Sequence, residues 1–195
     1  MRITCLFHAL GATCLVSSLT LLGAPVAAQA GNSPAAQPAG PAPVKVETMH
    51  LQVSASMPDG DAVPGKRLSL VVDVTPKPKM HVYAPGKHDY QVITIRIDPL
   101  PWLKVSPTAY PASEIYDFKE LNEKVEVYSK PFRLVQDLAV LATPEAKKAL
   151  AASPTVTLTG KVEYQACDDR VCYAPAKIPV SFALTVKASQ RSSGR

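Results

Sequence analysis

Apolar and polar residues alternate with a period of two through most of residues 44–187. In RLSLVVDV (67–74), for example, every second residue is leucine or valine. Successive side chains of a strand point to opposite faces of the sheet, so this pattern predicts antiparallel sheets with one buried face. We therefore expect an all-β, immunoglobulin-like antiparallel β-sandwich. The alternation recurs in VITIRI (92–97), KVEVY (124–128), VTLTGKVEYQA (156–166) and IPVSFALTV (178–186), and less clearly in KVETMHLQV (45–53).

One segment carries the signals of a helix instead. Thr143 is a suitable N-cap, Pro144 suits the first helical position, and Glu145 lies in the first turn before AKKALAA. The segment is short, so we expect one helix that connects two strands.

The first thirty residues have the three regions of a secretory signal peptide. A single arginine precedes a long uncharged run, and Ala28-Gln29-Ala30 forms an A-x-A cleavage site. A membrane anchor is the competing interpretation, but glycines and serines interrupt the run. Nothing after Ala30 approaches the roughly 18 apolar residues of a membrane span, so the mature chain is expected to be exported and not membrane-spanning. The predicted organisation is a signal peptide (1–30), a Pro/Ala-rich linker (31–43), one domain (44–187) and a disordered tail (188–195).

Charge and cysteine content narrow the function. The net charge of +5 is spread along the chain without a basic block, so no nucleic-acid partner is expected. Two of the four cysteines, Cys5 and Cys14, belong to the predicted signal peptide. The remaining pair, Cys167 and Cys172, lies in YQACDDRVCYAP (164–175), and a lone pair in an exported protein is normally a disulfide.

The spacing of this pair allows two interpretations. A disulfide that closes so short a loop stabilises the fold by only about 2 kcal/mol on chain-entropy grounds, which favours a bond that opens and closes. Many exported domains nevertheless carry short structural bridges. The neighbouring charges do not decide, because Asp168 and Asp169 oppose a thiolate whereas Arg170 favours one.

Three stretches resemble the N-terminal periplasmic domain of the DsbD family of thiol:disulfide interchange proteins. VEYQACDDRVCYAP (162–175) is similar to the family's active-site stretch, and MHVYAP (80–85) to a strand ahead of its first long loop. The segment from Tyr110 to Ser129 resembles the part that carries a cap loop over the cysteines. The likeness covers most of residues 44–187. It implies an immunoglobulin-like sandwich, in agreement with the alternation, and a periplasmic location.

The resemblance also implies roles for the two cysteines. Cys172 would form the mixed disulfide with a partner, and Cys167 would resolve it, so that two electrons pass by exchange. Any enzymatic activity would be of the protein-disulfide reductase type, and no cofactor is needed.

Four aromatic residues are implicated in the same way. A cap-loop aromatic would shield the bond when no partner is docked, with Phe118 as first choice and Tyr116 as second. Tyr83 and Tyr164 would line the site, although both lie on apolar strand faces, where core packing is the ordinary explanation.

The implied partners are thioredoxin-like or other envelope proteins with cysteine pairs. Family proteins continue into a multi-span electron carrier and a thioredoxin-like domain, whereas this sequence stops at Arg195. A separate membrane-bound reductant is therefore expected. The loop between the cysteines has four residues, where family members can have five.

Two other classes of function stay open at this point. The first is a structural or protein-binding envelope sandwich whose disulfide is inert. The second is a copper carrier, since methionine, histidine and thiolate are ligands that suit copper. No tight cluster of these residues occurs, and the spacing does not suit a closed zinc site. The potential copper ligands are Met49, His50, Met57, Met80 and His81.

Overall fold

The computed structural model describes residues 40–119 and 122–188. The predicted signal peptide, residues 31–39 of the predicted linker and residues 189–195 of the predicted tail lie outside the described residues. The strands of the described ranges are β1 (Val44–Glu47), β2 (Leu51–Ser56), β3 (Asp61–Ala62), β4 (Arg67–Pro76), β5 (His81–Tyr83), β6 (Thr94–Ile97), β7 (Leu103–Ala109), β8 (Glu114–Phe118), β9 (Glu123–Tyr128), β10 (Phe132–Val140), β11 (Thr155–Tyr164), β12 (Ala166–Cys167) and β13 (Ala176–Val186), and the helix is α1 (Pro144–Ala151).

Two sheets form the sandwich, as the alternation predicted. The first has the strand order β1-β2-β4-β10-β7 and the second the order β3-β13-β11-β6. Neighbouring strands are antiparallel, apart from the short parallel pairing of β3 with β13. The apolar residues of the alternating segments meet between the sheets in one buried core. Its members include Leu68, Leu70, Val72, Val74, Leu134, Leu138, Leu158, Val162, Ile178, Val180, Phe182 and Leu184.

The predicted connecting helix is confirmed. The Thr143 hydroxyl accepts a hydrogen bond from the backbone N–H of Ala146 at 3.2 Å, and Pro144 begins the helix. Ala146 and Leu150 are buried, so this face of the helix joins the core of the sandwich. Within the described ranges, no helix combines the length and the apolar character needed to cross a membrane.

The prediction of one strand over residues 45–53 was wrong. The segment is divided into β1 and β2, which pair with each other as a hairpin. The turn between them forms around Thr48, whose hydroxyl accepts from the backbone N–H groups of His50 and Leu51. Such side-chain hydrogen bonds compete with strand pairing and favour a turn.

A third sheet, with the order β12-β5-β9-β8, positions the cysteines. One face of this sheet is part of the sandwich core through residues such as Val82 and Tyr128. Since side chains alternate along a strand, the neighbouring positions point to the opposite face. We call this opposite side the cysteine face, and its residues are His81, Tyr83, Tyr116, Val125, Val127 and Cys167.

Candidate functional site

Cys167 and Cys172 are joined by a disulfide across the short loop, with their Cα atoms 4.1 Å apart. Cys167 ends β12 and is 0% exposed, packed against Tyr83, Val125 and Val127. Cys172, in contrast, is exposed at the surface. The two cysteine residues therefore differ sharply in their exposure to solvent.

Asp168 holds the loop between the cysteines in shape. Its carboxylate accepts hydrogen bonds from the backbone N–H groups of Arg170 and Val171 at 2.8 and 2.7 Å, and from the Tyr173 hydroxyl at 3.0 Å. The two backbone hydrogen bonds, that from Arg170 foremost, lower the pKa of the Asp168 carboxyl group. The sequence suggested that the negative charge of Asp168 disfavours a thiolate. The structure shows that this carboxylate also stabilises the loop.

The Tyr83 hydroxyl lies against both sulfur atoms of the disulfide. Its oxygen is 2.9 Å from Cys167 Sγ and 3.3 Å from Cys172 Sγ. Because a disulfide sulfur carries no hydrogen, the tyrosine is the donor in both contacts. Burial raises the pKa of Tyr83, so its hydroxyl keeps its proton at neutral pH. Tyr83 is thus the hydrogen-bond donor to both sulfur atoms of the disulfide.

Tyr90 and His88 support Tyr83 from the loop that follows β5. The Tyr83 and Tyr90 rings stack with centroids 4.1 Å apart and an angle of 6° between their planes. The Tyr90 hydroxyl donates to Glu123 at 2.9 Å, and the His88 ring lies 5.2 Å from that of Tyr83. Sequence reasoning missed both Tyr90 and Glu123, since nothing in the sequence connects this loop with the start of β9.

His81 lies beside the disulfide on the cysteine face. It is the cross-strand partner of Cys167, and its ring stacks on Tyr116 with centroids 4.5 Å apart. The Tyr116 hydroxyl in turn donates to Asp169 of the cysteine loop at 3.0 Å. Sequence reasoning considered His81 as a possible copper ligand and, as a general base, rejected it in favour of an ordinary loop or strand residue. The two-residue spacing from Tyr83 could have placed it at this site, because residues i and i+2 of a strand share a face.

The other two predicted aromatic residues lie in different surroundings. Phe118 is on β8, two residues beyond Tyr116, and makes an edge contact with the Tyr116 ring at 5.5 Å. Tyr164 belongs to the sandwich core, where its hydroxyl contacts His50 and Thr48. The structure therefore brings Tyr83 and Tyr116 together with Cys167, and it places Tyr164 in the core and not with this cluster.

The potential copper ligands do not share one environment. Met57 is completely buried in the core, whereas Met49 is 74% exposed. His50 is buried, with its ring 4.4 Å from that of Tyr173. Across residues 40–119 and 122–188, no group of three or more His, Cys, Asp or Glu side chains is arranged to hold a metal ion. These positions give the copper hypothesis no support.

Fold and site together define an all-β domain with an accessible disulfide in a short loop. The family model of "Thiol:disulfide interchange protein DsbD, N-terminal" matches residues 48–183. The chain therefore belongs to the DsbD N-terminal domain family, as the resemblance of the cysteine stretch implied.

Among solved structures, the N-terminal periplasmic domain of ScsB from Proteus mirabilis is similar to this chain, with a TM-score of 0.47 and 16% sequence identity. The alignment covers 72% of this chain and 49% of that one, so the match spans about half of the ScsB chain. No curated protein matches the sequence.

Proposed function

We propose that this domain exchanges disulfides with partner proteins in the periplasm through a mixed disulfide at Cys172. The observation that carries the proposal is the unequal exposure of the two cysteine residues: Cys172 is at the surface and Cys167 is 0% exposed. Exchange requires a thiolate to reach one sulfur of the disulfide. An inert bridge has no need of an accessible sulfur, whereas an exchanging pair needs one.

The exchange moves two electrons without a cofactor. A partner thiolate attacks Cys172 Sγ, the bond between Cys172 and Cys167 breaks, and Cys167 leaves as a thiolate. A second partner thiolate then attacks the partner sulfur of the mixed disulfide and releases Cys172. The domain ends as a dithiol and the partner as a disulfide, and the reverse sequence reduces a partner's disulfide.

The surroundings of Cys172 suit a docked partner with its own cysteine pair. Val171, which precedes Cys172, is 51% exposed, and Ala174 and Pro175 are also exposed. These small apolar groups beside an exposed cysteine offer a contact surface, to which the exposed Asp169 and Arg170 add one charge of each sign. We propose that thioredoxin-like envelope proteins bind here, with their reactive cysteine above Cys172.

A trapping experiment tests this function. Cys167→Ser removes the resolving thiol and leaves Cys172 accessible, so the variant is expected to accumulate a mixed disulfide with its partner. The measurement is a non-reducing gel of a periplasmic extract exposed to the variant, with mass spectrometry of the bands that vanish on reduction. Wild-type protein is the control and should trap little, because Cys167 resolves the adduct. A folded Cys167→Ser variant that forms no adduct contradicts the proposal.

We also propose that Tyr116, rather than the first-choice Phe118, is the principal cap residue. Its ring packs beside Cys167 and its hydroxyl bonds to Asp169 in the cysteine loop. Phe118 packs against the cysteine face through its contact with Tyr116. We therefore assign the cap role to Tyr116, because its hydrogen bond connects β8 with the cysteine loop.

Tyr116→Ala is expected to accelerate reduction of the disulfide by a small thiol about fivefold, the effect of losing a hydrogen bond worth about 1 kcal/mol. Phe118→Ala, two residues along the same face, is the matched control and should change the rate less. The rates come from a stopped-flow assay with dithiothreitol. If Phe118→Ala gives the larger acceleration, Phe118 is the cap and the assignment to Tyr116 is wrong.

A further inference from the structure

The resolving step places a chemical demand on Cys167 that the sulfur cannot meet alone. In the mixed disulfide between Cys172 and the partner, Cys167 must lose its proton before it can attack Cys172, because the thiolate is the nucleophile. The side chain is 0% exposed and packed against Val125 and Val127. Apolar surroundings disfavour a thiolate, and water has no access to take the proton. A base on the cysteine face would remove this difficulty.

Tyr83 cannot supply that base. Burial raises the pKa of its phenol, so the hydroxyl stays protonated and acts only as a donor. It stabilises the thiolate once formed, but it does not accept the proton. The acceptor has to be a different group beside Cys167.

His81 is the histidine beside Cys167, and one of its ring nitrogens is buried without a hydrogen-bond partner. It is paired with Cys167 across β5 and β12, and side chains of such a pair lie roughly 5 Å apart at their Cβ atoms. The ring is only 2% exposed, and its Nε2 atom is buried without a hydrogen-bond partner. In the disulfide form, the sulfur has no proton to offer this nitrogen. Reduction supplies one as the Cys167 S–H group.

We propose that His81 is the base that accepts the proton of the Cys167 thiol in the resolving step. The inference rests on the proposed exchange function. The proton passes from Cys167 Sγ to His81 Nε2, and the new thiolate attacks Cys172 Sγ in the mixed disulfide. The bond between Cys172 and the partner breaks, and the partner leaves as a thiolate. The proton on His81 then passes to the departing thiolate.

The charged and titratable groups around His81 define its protonation state. The stack with Tyr116 covers one side, while Asp168 and Asp169 of the cysteine loop and Glu114 of β8 act on the ring through their negative charges. Burial lowers the pKa of His81, and the three carboxylates oppose this shift. The imidazole is therefore neutral at pH 7 and able to accept a proton. Acid converts it to imidazolium and removes the base.

The test separates the two steps of exchange with one reagent. Reduced full-length mature protein is mixed with dithiobis(nitrobenzoate), which releases a coloured thiolate each time a protein sulfur reacts. The first, second-order phase reports attack by Cys172, and the second, first-order phase reports resolution by Cys167. Both are followed from about pH 5 to about pH 9, the range in which histidine titrates.

His81→Phe keeps a ring that can stack on Tyr116, and His81→Gln keeps a polar side chain. In both variants we expect the second phase to slow by roughly 100-fold at pH 7, the usual effect of losing a general base. The wild-type rate should rise as the imidazole loses its proton and then level off, whereas the variant rates should keep rising with pH. The first phase should keep its wild-type rate. His50→Gln is the matched control, since His50 is also buried with an unpartnered Nε2, and it should keep the wild-type profile.

Each alternative outcome has a distinct meaning. If both His81 variants keep the wild-type pH profile, even with lower rates, His81 only supports packing and the inference is overturned. If the wild-type protein shows neither phase, the exchange function itself fails. If neither variant folds, the inference is tested by NMR, through the chemical shift of Nε2 in wild-type His81. It should change on reduction as the nitrogen gains a hydrogen bond, and an unchanged shift overturns the inference.

Discussion

Replacing Cys172 with serine is expected to abolish disulfide exchange, and this is the largest effect that the structure predicts. The variant keeps Cys167, but that sulfur is 0% exposed behind Tyr83 and the valines of β9. A thiolate or a disulfide reagent reaches it only when the local structure opens. Cys167→Ser, in contrast, keeps the thiol of Cys172, an exposed residue.

The two single-thiol variants therefore form a matched pair. We expect the Cys172→Ser protein to react with dithiobis(nitrobenzoate) at least about 100-fold more slowly than the Cys167→Ser protein, since only rare opening exposes its thiol. In denaturant, where both thiols are accessible, the two rates should converge, which controls for intrinsic reactivity. Equal rates in the native state would show that burial does not decide which sulfur reacts.

The second large effect, on the rate at which the disulfide is reduced, is expected from removal of the Tyr83 hydroxyl. This group lies 2.9 Å from Cys167 Sγ and 3.3 Å from Cys172 Sγ, and it stays protonated because burial raises the pKa of Tyr83. When Cys172 is attacked, Cys167 departs as a buried thiolate, and the tyrosine is the donor already in contact with it. A hydrogen bond to a charged group contributes about 1.5–3 kcal/mol, which corresponds to a rate change of roughly 10- to 100-fold.

Tyr83→Phe is thus expected to slow reduction by dithiothreitol by roughly 10- to 100-fold. It should also shift the redox equilibrium towards the disulfide. Tyr128→Phe is the control, because Tyr128 is buried on the core side of the same sheet and donates to the Pro111 carbonyl at 2.8 Å. It should leave both quantities close to wild type. A Tyr83→Phe protein that is reduced as fast as wild type, or faster, contradicts a role for the hydroxyl in stabilising the thiolate.

The sequence predicted the strands whose alternation is regular and missed those in which it is broken. In β10, Gln136 occupies a core position between Leu134 and Leu138 and hides the pattern. The structure accommodates it because the Gln136 side-chain amide donates to the Ser106 carbonyl at 3.0 Å. Strand β5 has only three residues, all buried, and three residues are too few to show a period.

The sequence predicted the alternation in β9, but it did not predict which buried cluster the valines of this strand join. Val125 and Val127 alternate with charged residues, as in a strand with one wet face. They pack on the cysteine face, whereas Tyr128 points to the core of the sandwich. A period of two shows which residues share a face and does not show which of two buried clusters that face belongs to.

Only those parts of the site that lie within single short segments could be predicted from the sequence. Cys167 and Cys172 are close in sequence, and Tyr83 lies in a stretch with family resemblance. His81 lies in the same stretch as Tyr83, and its two-residue spacing could have placed it at the site. Tyr90 contacts Glu123, and His81 contacts Tyr116, between segments far apart in the chain. Such contacts depend on strand register and loop path, which are set by the folded structure as a whole.

The most direct test of disulfide exchange is a redox titration of the purified mature protein. Free thiols are counted in glutathione buffers of graded potential, while near-UV circular dichroism reports whether the tertiary structure is kept. Exchange predicts a reversible two-electron transition with the fold intact, because the exposed Cys172 can be attacked without unfolding. A bond that opens only in denaturant would contradict it and would make the disulfide a structural bridge.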